Sequence, residues 1–232
     1  LINLNAIAQH LAAVRARVAQ AELRFNRTPG SVELLAVSKT QPVAAICAAA
    51  AAGQTRFGES YAQEALAKMS TLTELPLEWH FIGPIQSNKT RDVATHFGWV
   101  HSVEREKIAR RLSEQRPATL PPLNVCIQVN VSGEDSKSGA ATHDVAALAQ
   151  TIRNLPQLRL RGLMAIPAPQ IEFDLQRAAF RVLRELYEQL CSTGYKLDTL
   201  SMGMTDDLEA AIAEGATLVR VGTAIFGERA NL

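Results

Sequence analysis

The chain lacks the features that would classify it at once. It has only three cysteines in 232 residues, Cys47, Cys126 and Cys191, too far apart for metal-ligand spacing. That excludes a cysteine-built metal site and fits buried thiols in a reducing compartment. It has no excess of charge: 24 basic and 23 acidic residues leave a net +1, so no electrostatic footprint for nucleic acid or an anionic membrane stands out. It has no long hydrophobic run, because the stretch around Ala44 to Ala52 is alanine-rich and much too short to span a bilayer. Low-complexity segments, linkers and short-period repeats are also missing. The start does not read as a signal peptide. Ile7, Leu11, Val14 and Val18 recur at helical spacing and Arg15 and Arg17 interrupt them, so residues 4–25 are predicted as an amphipathic helix. The expectation is one cytoplasmic domain over residues 1–232, with no nucleic-acid or membrane partner.

What is present is alternation. With 47% hydrophobic residues the chain can bury a sizeable core. Short β-rich runs are predicted at 34–38, 55–58, 79–82, 99–102, 124–130, 159–165, 197–201 and 218–221. Helical stretches near 42–52, 60–70, 87–96, 104–115, 142–153, 173–193 and 206–214 separate them. Strands alternating with helices predict right-handed crossovers and a parallel sheet. The economical solution is an α/β fold of one kind, a single (β/α)8 TIM barrel with an extra N-terminal helix. A doubly wound open sheet is the rival.

In such a barrel the strand C-termini carry the chemistry. The first strand ends on Lys39, which reads either as a solvated charge or as an amine at the barrel mouth ready to form a Schiff base. The loop Ser201-Met202-Gly203-Met204-Thr205 follows the seventh strand, and Gly222-Thr223 follows the eighth. Both supply glycine, hydroxyls and backbone N–H groups where barrels commonly bind phosphate. Arg220 lies in the apolar run 218–221 and must have a partner, either a structural carboxylate or a ligand. Alternation sets it on the face of Leu218 and Gly222. Lysine for an aldehyde, arginine for a pyridine nitrogen and loops for a phosphate together describe a pyridoxal 5′-phosphate site. Asn88 and Lys89 either line this pocket or start a helix, His80 reads as a satisfied core histidine, and Lys137 is a second amine or a surface charge.

The segments Leu35-Ala36-Val37-Ser38-Lys39-Thr40, Phe57-Gly58-Glu59, Trp79 to Lys89, Ser136-Lys137-Ser138-Gly139, Arg161 to Ile166, Ser201-Met202-Gly203-Met204 and Val219 to Gly227 resemble, in order, the pyridoxal phosphate homeostasis protein family, which is related to the barrel of alanine racemase. The resemblance implies a Schiff base on Lys39, phosphate contacts from Ser201, Gly222 and Thr223, and Arg220 near the pyridine nitrogen, with Gly203, Met204 and Asn88 completing the cofactor set. Ser60 stands where the family usually has asparagine, and Thr205 where it usually has serine.

The implied function is a pyridoxal 5′-phosphate carrier that holds the cofactor on Lys39 and serves its intracellular homeostasis and delivery to apo-enzymes, as a monomer or weak dimer. Racemisation needs a base on each face of the substrate carbon. Lys39 supplies one, and no second domain is expected to supply the other. The alternatives are an amino-acid racemase using Lys39 with a residue such as Tyr61, and a Schiff-base aldolase.

Overall fold

The computed structural model describes residues 4–133 and 138–227; Lys137, one of the sequence candidates, lies outside them. Eight parallel strands close into a barrel in sequence order: β1 (Glu33–Val37), β2 (Arg56–Glu59), β3 (Glu78–Phe81), β4 (Trp99–Val103), β5 (Leu123–Gln128), β6 (Leu158–Met164), β7 (Thr199–Ser201) and β8 (Leu218–Val221). The β1–β8 pairing, with Leu35 opposite Arg220, closes the sheet and removes the open-sheet alternative. The helices of the outer ring are α1 (Leu4–Arg24), α2 (Val43–Ala51), α3 (Ala62–Thr71), α4 (Thr90–His96), α5 (Glu106–Gln115), α6 (Val145–Arg153), α7 (Phe173–Ser192), α8 (Leu208–Ala213) and α9 (Thr223–Phe226). No helix among the described residues is long and apolar enough to cross a membrane.

Sequence periodicity explains the outer layer. Ile7, Leu11, Val14, Val18 and Ala21 of α1 are all buried, and their alternating four- and three-residue steps draw one apolar stripe along the helix. That stripe packs against α2, α8 and α9. Two polar side chains of α1 tie it to the loops at the strand C-termini: Arg17 donates to the Thr205 carbonyl at 2.9 Å and pairs with Glu209, and His10 Nδ1 lies 3.1 Å from the Ile225 carbonyl. The extra N-terminal helix thus braces the chain after β7 and after β8. Glu22, 3% exposed, accepts from the amides of Gly30 and Val32 and fixes the turn that leads into β1.

One helix start differs from expectation. The helix expected at 87–96 begins with a 3-10 turn over Ser87–Lys89 and becomes α-helical only at Thr90. Asp207, which precedes α8, holds its carboxylate on the Met204 amide at 2.6 Å, so it orders the loop before that helix.

A strand's side chains alternate between the barrel interior and the helical ring. In β1 and its continuation the inward residues are Leu35, Val37 and Lys39; in β8 they are Leu218, Arg220 and Gly222. Barrel interiors are usually filled by branched apolar residues. This one carries His80, His101, Ser201 and Arg220, all buried.

Candidate functional site

A cavity of about 210 Å³ opens at the C-terminal mouth. Lys39, Gln41, Met204, Thr205, Gly222 and Thr223 line it, and Arg220 forms part of its floor. Five of the eight sequence candidates, Lys39, Arg220, Met204, Gly222 and Thr223, therefore meet in one place. Gly203 lies behind that wall. It is buried with φ of +95°, and its carbonyl accepts from the Arg220 amide at 2.9 Å. Asn88 is exposed in the 3-10 turn and does not line the cavity.

Ser201 is also in a different place from the one its loop suggested. Its Oγ sits beneath the floor, 2.8 Å from Arg220 Nη1 and 2.8 Å from His101 Nδ1. The hydroxyl-bearing residue of this loop that lines the cavity is Thr205. The reason is period: Ser201 is the last residue of β7 and points inward, whereas Thr205 lies beyond the turn at Gly203.

Lys39 stands on a braced turn. Its neighbour Thr40 has φ of +64°, a left-handed conformation that is strained for a β-branched residue. The strain is held by α3 and β2. Glu64 accepts from the Thr40 amide at 2.6 Å, Lys68 donates to the Ser38 carbonyl at 2.7 Å, and the Ser38 hydroxyl donates to Glu59 at 2.7 Å. Lys68 pairs with both Glu59 and Glu64. Burial pushes the Glu59 carboxyl above its ordinary value, with the Lys68 charge opposing that shift.

Arg220 is 3% exposed. Burial lowers its pKa to about 10, so it stays a cation at neutral pH. Its second terminal nitrogen, Nη2, donates to the Ala165 carbonyl at 2.8 Å. The expected dilemma between a structural carboxylate and a ligand resolves into neither alone: neutral acceptors hold two of its donors, and the cavity lies above it. Among the described residues, the exposed Asp206 is the lining's one acid, set against the cations of Lys39 and Arg220.

Gln41 supplies a further clue that the sequence reading missed. It is 6% exposed and lines the cavity, and its Oε1 is buried without a hydrogen-bond partner. A buried acceptor left unpaired costs about 1–3 kcal/mol.

A larger cavity, about 430 Å³, lies at the N-terminal mouth. Its cations are already engaged: Arg56 pairs with Glu33 and Glu78, and Arg161 pairs with Asp198. The C-terminal cavity brings together a primary amine, a floor guanidinium and two threonines.

Eight parallel strands closed in sequence order, with helices around them, make the chain a (β/α)8 barrel. The family described as "Alanine racemase, N-terminal domain" matches residues 2–230. The pyridoxal phosphate homeostasis protein of Pseudomonas aeruginosa is 63% identical over 226 residues, 97% of each chain, and that of Escherichia coli K12 is 53% identical over 97% of this chain and 98% of its own. The chain belongs to the pyridoxal phosphate homeostasis protein family. Among solved structures, PipY of Synechococcus elongatus with PLP bound superposes with a TM-score of 0.84 at 39% identity, covering 95% of this chain and all of that one. Alanine racemase from Corynebacterium glutamicum shares the fold, with a TM-score of 0.71 at 15% identity over 98% of this chain and 62% of its own.

Proposed function

We propose that this protein binds pyridoxal 5′-phosphate as a Schiff base on Lys39 and serves its intracellular homeostasis and delivery without catalytic turnover. The observation that carries the reading is convergence. Lys39, Arg220, Thr205, Gly222 and Thr223 reach one cavity from the ends of three strands. The cofactor supplies an aldehyde for an amine, a ring and a phosphate, and the donor set answers each. Lys39 is the amine. Arg220, part of the cavity floor, would disfavour protonation of a pyridine nitrogen placed near it. Thr205 and Thr223 offer hydroxyls, and Thr223 opens α9, so its amide has no partner within that helix. The PLP-bound relative PipY supports the choice of cofactor, and the relatives named as homeostasis proteins support the carrier role. Tyr61, the residue considered as a racemase base, is 55% exposed ahead of α3 and does not line the cavity.

The test is reduction with borohydride in the presence of the cofactor, followed by peptide mass mapping. A pyridoxyl-phosphate adduct on Lys39 is expected, and an adduct confined to Lys89 or Lys137 would refute the assignment. Loss of α-deuterium from any amino acid at an enzyme-like rate, abolished by Lys39→Ala, would overturn the carrier reading in favour of a racemase. A protein that stays colourless with added cofactor would favour the aldolase.

A further inference from the structure

Under the cavity floor a single file of side chains crosses the barrel interior from one mouth to the other. Arg220 Nη1 is 2.8 Å from Ser201 Oγ, and Ser201 Oγ is 2.8 Å from His101 Nδ1. His101 Nε2 is 2.9 Å from His80 Nδ1, and His80 Nε2 is 2.8 Å from Glu78 Oε1. Arg220, Ser201, His101 and His80 are each no more than 3% exposed. Glu78 opens into the N-terminal cavity. The file arises because β3 turns Glu78 and His80 inward at alternate positions while β4, β7 and β8 contribute one inward polar residue each.

Both ends of this file fix its direction. A guanidinium only donates, so Ser201 Oγ accepts at one end. An ionised carboxylate only accepts, so His80 Nε2 carries the proton at the other. Neutral His80 then presents Nδ1 as an acceptor, His101 donates from Nε2, and neutral His101 presents Nδ1 to the Ser201 hydroxyl. Every donor points the same way. The opposite direction would require an extra proton, either on a buried imidazole or on Glu78. Burial disfavours a charged ring at His80 and His101, and the bond from His80 holds Glu78 down at about 2. Arg220 has no lone pair to receive a proton, so the file is not a proton conduit into the cavity. Its effect is to orient.

We propose that Glu78, His80 and His101 are positioning residues for Arg220: anchored on the Glu78 carboxylate at the far mouth, the one-way chain commits the Ser201 proton to His101 and makes Ser201 Oγ a fixed acceptor for the guanidinium. With Nη2 on the Ala165 carbonyl, the arginine is then clamped at two points. The chain also accounts for the Ser201 hydroxyl lying on Arg220 and His101 instead of lining the cavity. The consequence for cofactor retention rests on the function proposed above.

The direction is tested in the ligand-free protein by ¹⁵N–¹H correlation of the two imidazole rings near neutral pH. Both rings are expected neutral and protonated on Nε2. An imidazolium at either ring, or a proton on His80 Nδ1, would overturn the chain whether or not the protein binds the cofactor. The coupling is tested with Glu78→Ala and Glu78→Gln. Neither strands Arg56, which keeps Glu33 at 3.1 Å. Glu78→Ala is expected to weaken pyridoxal 5′-phosphate binding roughly 2- to 30-fold and to shift the absorption of the bound cofactor. Glu78→Gln, whose amide oxygen still accepts from His80, should restore most of both. Unchanged tautomers, affinity and spectrum in Glu78→Ala would sink the positioning role. A wild-type protein that takes up no cofactor would defeat the function proposal, and the ring tautomers would still decide the chain.

Discussion

Ser201 Oγ stands 2.8 Å from Arg220 Nη1 on the barrel side of the cavity floor. Removing that oxygen leaves two buried groups without partners, one N–H of Arg220 and Nδ1 of His101. Leaving such groups unpaired costs about 1–3 kcal/mol each. Ser201→Ala should therefore lose stability by that order in urea unfolding and loosen Arg220 as well. Thr205→Val, at a hydroxyl that lines the cavity, should change stability little and weaken cofactor binding. Equal stability losses in the two variants would contradict this separation.

The contrast between Ser201 and Thr205 shows what the chain's pattern discloses. The eight strands are legible because short β-rich runs alternate with helical stretches, and their ends give Lys39, Arg220 and Gly222 directly. Period two puts Arg220 and Gly222 on one face, and both line the cavity. Position past a strand end is harder to read. A loop's last inward residue and its first cavity-facing residue are separated only by a turn, here the one at Gly203. His101 left no signal at all, since it sits inside β4 among buried neighbours and gains meaning only from His80 and Ser201 on other strands. Glu59 and Lys68 are likewise nine residues apart in sequence and recognisable as a pair only once β2 and α3 are packed.

Lys68 is the brace under Lys39. It is 5% exposed and its ammonium group lies 2.8 Å from Glu59, which is fully buried. Replacing it by methionine keeps the volume and abandons the Glu59 charge, and breaking a buried pair from one side costs about 3–5 kcal/mol. Lys68→Met is expected to unfold at markedly lower urea, and Lys68→Met with Glu59→Gln to recover part of that loss. If the single variant matches wild type, the triad does not hold the turn at Thr40.

Acid should act on the barrel interior in two stages. His80 and His101 are held below their ordinary value near 6.5 by burial. The unfolded chain therefore binds protons first as the pH falls below about 6.5, and stability drops with it. Glu78, lowered to about 2 through its bond from His80, contributes stability above about 4.5 that is lost between that pH and about 2. Glu59, shifted upward, works in the opposite sense and partly offsets the first stage. The comparison that isolates the histidines is wild type against His101→Asn. The variant should show a shallower fall in urea midpoint between pH 7 and pH 5, and an identical slope would place the acid sensitivity elsewhere.

Gly203 links the loop after β7 to Arg220, and two separate physical costs attach to changing it. Its φ of +95° is a left-handed conformation that favours glycine, and a Cβ there would lie 2.6 Å from Ala211 Cβ in α8. Gly194, at φ of +93° after α7, shares the first cost without the second, because a Cβ there meets nothing within 4 Å. Gly194→Ala should therefore report backbone strain alone, about 1–3 kcal/mol. Gly203→Ala should cost more than that, since α8 must shift or the loop must retreat into the cavity. Because the Gly203 carbonyl also accepts from the Arg220 amide at 2.9 Å, the retreat would pull on the cavity floor. Cofactor binding should fall in Gly203→Ala and stay at the wild-type value in Gly194→Ala when both are measured well below their unfolding transitions. Equal binding in the two would mean that the loop's conformation is not what shapes the site.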